Sequence, residues 1–160
     1  MIKITKFTDV NPGTYLSLPH GRAVMLGHAG VDYLKACTFL QENHEQVGPL
    51  FAFQLPTMHQ TLELLSKAVA FKSDCKFDPI RYKHQVIMLM QDYAVRVPIF
   101  ASILLYPDAM ELLEGLEKSY FGVRYGECAL SYDGDVWLLF LRIANDLIDD
   151  LRARTKLRFV

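Results

Sequence analysis

His59, Glu63 and Lys67 recur at four-residue steps, and His84 lies past the next corner, in the stretch HQTLELLSKAVAFKSDCKFDPIRYKHQ. Steps of four put the first three on one face of a helix, and Glu63 ahead of Lys67 has the favourable orientation for an i, i+4 ion pair. On a solvated surface such a pair contributes only about 0.3–0.5 kcal/mol and does little more than keep the helix wetted. In a groove the same residues have chemistry to do. A lysine meets a phosphate, and a histidine near the first turn of the following helix hydrogen-bonds a base or ribose, with free backbone N–H groups beside it for an anion. Arg124 and Tyr125 form a second candidate pair, in the glycine-bracketed FGVRYGE. There the side chains can grip phosphate or stack; the plainer reading is a buried Tyr with an Arg on the last carbonyls of a helix.

Other constellations are weaker. Asp146, Asp149 and Asp150 cluster as if for a divalent cation, but Asp150 to Arg154 is also an ordinary i, i+4 pair and no second acidic motif accompanies them, so they read as a solvated face. His20, His28 and His44 lack the four-residue pairing of a zinc site, and no glycine-rich phosphate loop is present. Cys37, Cys75 and Cys128 are widely spaced and read as reduced thiols, at least two of them core filler. No metal or cofactor is expected.

The elements that must position the candidates are helical. A chain of 160 residues fits one domain, and 17 basic against 18 acidic residues leave no global field to attract a phosphate backbone. One candidate local patch is the tail RARTKLRFV, although cations there also offset a helix dipole. MIKITKFT alternates like a short strand, and residues 1–22 are expected to form an extended arm ahead of a helical bundle over 23–160. Tyr33, Cys37 and Leu40 mark a first helix. Phe51, Leu55, Met58, Leu62, Leu65 and Val69 mark a second, with Pro56 starting or kinking it. Asp78-Pro79 is a start signal for a third, whose apolar face is Val86, Met90, Tyr93 and Val97. PIFASILLYP predicts a short buried helix or turn. Ala109 to Tyr120 mark a fourth helix, and Trp137 to Leu151 a long fifth that Asp135 can cap. The fold class is all-α, an up-and-down bundle of about five helices. No run is long and apolar enough to span a bilayer, and the start lacks a signal peptide's apolar stretch, so a soluble, cytoplasmic protein is expected.

From about Val31 to Leu151 this order resembles the HEPN family of nucleotide-binding helical bundles. The residues that carry the resemblance are TLELLSKAV on the second helix, YKHQVIMLMQDY on the third, and LLEGLEKSYFGVRYGE at the end of the fourth. The family places an acid and a lysine one turn apart, then a His, then an Arg-Tyr pair, which implies Glu63, Lys67, His84, Arg124 and Tyr125 as ligand-binding residues. Here Gln85 follows His84 where the family has an acid, and Gly126 follows the Arg-Tyr pair where Pro is common.

Family members that cut RNA use an Arg with a His four to six residues on, near a late helix: the His exchanges a proton and the Arg steadies charge on phosphorus. Neither late helix here contains a His. Arg22 and His28 match the spacing but lie ahead of the first helix, about one such match is expected by chance, and in a helix the two would stand about 120° apart. The resemblance therefore implies a non-catalytic nucleotide- or RNA-binding module. It also implies a homodimer, which 51% apolar residues in so small a bundle favour. Two alternatives are an interaction partner of a nucleotidyltransferase, in the manner of a toxin–antitoxin pair, and a metal-independent ribonuclease using Arg22, His28 or His84.

Overall fold

The computed structural model describes residues 19–48, 53–124 and 134–155; the side chains of 19, 20, 121–124, 154 and 155 are not among those described. The expected strand at MIKITKFT and the Gly48-Pro49 junction beyond Gly48 lie outside these residues. In chain order the helices are α1 (Pro19–Glu42), α2 (His44–Val47), α3 (Gln54–Ser73), α4 (Pro79–Tyr82), α5 (Val86–Tyr93), α6 (Pro98–Leu104), α7 (Ala109–Arg124) and α8 (Gly134–Thr155). The chain is all-α among the described residues, and none of these helices is long and apolar enough to cross a membrane.

α3 is the central element and touches α1, α5, α7 and α8. Its stripe of Met58, Leu62, Leu65 and Val69 is fully buried, as the periodicity requires. α1 lies along α3 so closely that a Cβ at Gly30 would fall 2.7 Å from Leu65 Cγ, so glycine is what allows the approach. Cys37 faces Thr61 across the same seam, and burial pushes its thiol up to about 12, which makes it inert filler. Leu113 and Leu116 of α7 and Phe140, Ile143 and Leu147 of α8 close the core from the other side.

Among the described residues eight helices stand where about five were expected: the first and third expected segments are each subdivided, and the short PIFASIL segment adds one more. α1 begins at Pro19, ahead of the expected boundary at 23, and carries both Arg22 and His28. Pro56 lies in the first turn of α3 and starts it without a kink. Asp78 does cap a helix, its side chain accepting from Ile80 N–H at 3.0 Å, but α4 ends after four residues. Tyr82 is buried against Phe77, whose ring also meets Tyr93. Lys83 then turns the backbone to φ 44°, so the expected third helix is split by a corner at 83–85. PIFASIL is the short helix anticipated, with Phe100 and Ile103 buried. Asp135 sits inside the first turn of α8 and not at its cap.

Candidate functional site

The break after Tyr82 creates the site. Inside a continuous helix the carbonyls of Lys83 and His84 would accept from residues four further on; at the corner they are freed and need donors. α3 supplies both. Lys67 Nζ donates to the Lys83 carbonyl, and His59 Nε2–H donates to the His84 carbonyl at 3.0 Å. The two donors lie eight residues apart on one face of α3, so a helix interior caps a broken helix.

Glu63 stands between them. Its Oε1 accepts from Lys67 Nζ at 2.6 Å and its Oε2 from His84 Nδ1 at 2.9 Å. Glu63 is 4% exposed and Lys67 9%, so this ion pair is desolvated, the opposite of a wetted stripe. A buried pair survives only when its remaining polar capacity is filled, and here a carbonyl and an imidazole fill it. His59 is 1% exposed, and burial holds its pKa below the ordinary histidine value, with Glu63 opposing the shift. In the neutral ring the proton lies on Nε2, so Nδ1 carries a lone pair; it is buried without a hydrogen-bond partner, 3.9 Å from Glu63 Oε2. Tyr120 of α7 closes the cluster, its ring centroid 4.6 Å from that of His59 and 4.5 Å from that of His84.

Glu63, Lys67 and His84 are thus brought together. Of this group His84 reaches solvent most, its side chain 37% exposed. Because Nδ1 donates to Glu63, the neutral ring keeps Nε2 as its basic nitrogen, and the carboxylate fixes both tautomer and orientation. Arg124 closes α7 one turn beyond Tyr120, but its side chain is not among those described, and Tyr125 lies outside the described residues. The free anion donors expected at the start of the third helix are not all free: Ile87 N–H donates to Glu117 Oε1 at 2.9 Å, so α7 already provides a carboxylate there.

Two members of the cluster, His59 and Tyr120, are not among the ligand-binding residues that the resemblance implies. His59 shared the face of Glu63, and its four-residue spacing was the available signal. Tyr120 read as an apolar-face residue of α7; a buried tyrosine needs a polar partner, and that need was the hint. Elsewhere, Asp146 accepts from Tyr106 OH at 2.7 Å and Asp149 pairs with Arg152 at 3.3 Å. Among the described residues no group of His, Cys, Asp and Glu is arranged to hold a metal ion.

No family model, no curated protein and no solved structure matches this chain.

Proposed function

We propose that this chain is a HEPN-like helical module that binds a nucleotide or RNA without cutting it, and that it works as a homodimer. What supports the reading is the convergence of Glu63, Lys67 and His84, from two separate segments, on one cluster beside the helix that ends at Arg124. The roles divide. Lys67 is already neutralised by Glu63 and bound to a carbonyl, so it acts on a ligand by fixing the corner and not by direct phosphate contact. His84 meets the base or ribose, while Arg124 and Tyr125 supply the phosphate grip and a stacking surface. The test is titration of ATP, GTP, UTP and short RNAs, followed by thermal shift and NMR. Binding is expected to weaken about tenfold or more in Arg124→Ala and His84→Ala, which corresponds to the loss of one charge-assisted contact. Silence with every ligand at millimolar concentration sinks the reading.

One observation favours a second reading, a metal-independent ribonuclease. A carboxylate that holds His84 by Nδ1 is the arrangement of an oriented general base, whose Nε2 can take a proton from a 2′-hydroxyl. Labelled RNA incubated with wild type, His84→Ala and Glu63→Gln decides it. Cleavage that both substitutions abolish supports this reading, and cleavage indifferent to them removes the pair from any mechanism.

A further inference from the structure

The two histidines of the cluster are held in opposite tautomers, and one of them is spent on the fold. His59 is buried, and its Nε2–H is committed to the His84 carbonyl at 3.0 Å. His84 is turned the other way. Its Nδ1 lies 2.9 Å from Glu63 Oε2, and Glu63, paired with the Lys67 ammonium at 2.6 Å, is a carboxylate with no proton to give. The proton between them therefore belongs to Nδ1, and Nε2 of the neutral ring is an acceptor only.

The ring cannot exchange these roles by turning over. Tyr120 covers one face, with ring centroids 4.5 Å apart, and a half-turn would set a carbon against a carboxylate that is buried and needs its donor. With Nδ1 turned inward, the Cδ2–Nε2 edge is the part of this half-buried side chain that meets a ligand. That polarity selects the ligand's chemistry. Phosphate oxygens only accept, so a nitrogen lone pair opposes them, whereas a hydroxyl or an amino group matches it. Outside its phosphates ATP carries such donors at the 2′-hydroxyl, the 3′-hydroxyl and the adenine amino group.

We infer that His84 is the specificity-determining residue of the nucleotide site: its Nε2 accepts from one donor of the ligand, a ribose hydroxyl or a base amino group, and the phosphates are held elsewhere. The inference rests on the nucleotide-binding reading above and names the chemistry that His84 selects.

Two measurements on the full chain test it, with circular dichroism to verify the fold of each variant. In the ring 15N spectrum of the ligand-free protein at pH about 8, above the ordinary histidine value, Nδ1 of His84 is expected to be the protonated nitrogen, and a proton on Nε2 overturns the inference. In titrations, ATP is compared with 2′-deoxy-ATP, 3′-deoxy-ATP and purine-riboside triphosphate, which lacks the amino group. One of the three should bind about tenfold more weakly than ATP, and which one identifies the donor. His84→Ala should weaken ATP by about the same factor and erase the difference. His84→Lys, which can only donate, should bind ATP and the same analogue equally. A wild type that binds ATP and all three analogues alike, or a difference that persists in His84→Ala and His84→Lys, overturns the inference and leaves the nucleotide-binding reading standing. Silence with every nucleotide and RNA sinks both.

Discussion

Glu63–Lys67 on α3 and Glu114–Lys118 on α7 are the same two residue types in the same order at the same spacing. The first pair closes to 2.6 Å with side chains 6% and 11% exposed; the second stands at 3.6 Å with side chains 53% and 80% exposed. Helix geometry lets both pairs meet and says nothing about which one leaves water. Neighbours decide that. α3 is flanked by α1, α5, α7 and α8, so even its polar face is covered, whereas Glu114 and Lys118 lie on the outer face of α7. What makes burial tolerable on α3 is the corner at 83–85, which offers a carbonyl to Lys67 and an imidazole to Glu63.

The sharpest way to break this comparison is to remove the same residue type from each pair. Glu63→Ala strands a buried ammonium and should cost about 3–5 kcal/mol in urea unfolding. Glu114→Ala should change stability by about 0.5 kcal/mol or less. Taking both charges out of the buried pair, as Glu63→Gln with Lys67→Met, should cost less than the sum of the single substitutions, with about 1–3 kcal/mol of coupling between them. Equal effects at Glu63 and Glu114 would mean that the cluster is solvated.

The buried cluster also differs from the exposed pair in carrying a histidine whose pKa is set by the fold. Burial lowers the pKa of His59, so below about 6.5 the unfolded chain binds a proton that the folded chain refuses. Stability from this group is complete above that value and is lost as pH falls toward the folded pKa. The urea midpoint should therefore drop between pH 7.5 and 5.5. His59→Gln, which keeps a donor for the His84 carbonyl, should drop less. A wild-type profile that is flat, or rises toward acid, contradicts a neutral buried His59.

The division between what could be read in the chain and what could not follows from the same contrast. Periodicity located the apolar stripes, since Leu62, Leu65 and Val69, or Leu112, Leu113 and Leu116, are buried wherever their helices pack. Four-residue spacing likewise grouped His59, Glu63 and Lys67. Whether that face was wet could not be read, because it depends on α7 bringing Tyr120 and on a corner 16 residues after Lys67. The corner itself was hidden by a true signal. Asp78-Pro79 does start a helix, but nothing in PIRYKHQ marks its end, for the residue that takes the left-handed turn is a lysine and not a glycine.

Removing the cap that starts α4 is expected to have a smaller effect. Asp78→Ala loses the bond to Ile80 N–H and should cost about 1 kcal/mol, the usual value for a helix cap. If α4 is what aims the freed carbonyls at α3, the loss should also appear as chemical-shift changes at His59 and His84. Asp108→Ala, away from the cluster, should leave those two resonances unmoved.

The finest test compares two substitutions at Lys83, and its sign carries the information. In a continuous helix, as the chain alone suggests, Lys83→Gly should be less stable than Lys83→Ala by about 1 kcal/mol, because glycine loses more backbone entropy. At φ 44° the order reverses: alanine keeps a Cβ in a region that side chains avoid, and glycine does not. Glycine's extra freedom in the unfolded chain offsets part of that relief, so Lys83→Gly should exceed Lys83→Ala by only about 0.5 kcal/mol. Both variants retain the carbonyl that Lys67 holds, so neither disturbs the ion pair directly. The difference between them therefore reports the backbone alone. Alanine proving the more stable would return the segment to a straight helix, and Lys67 would then be buried without the acceptor that accounts for its position.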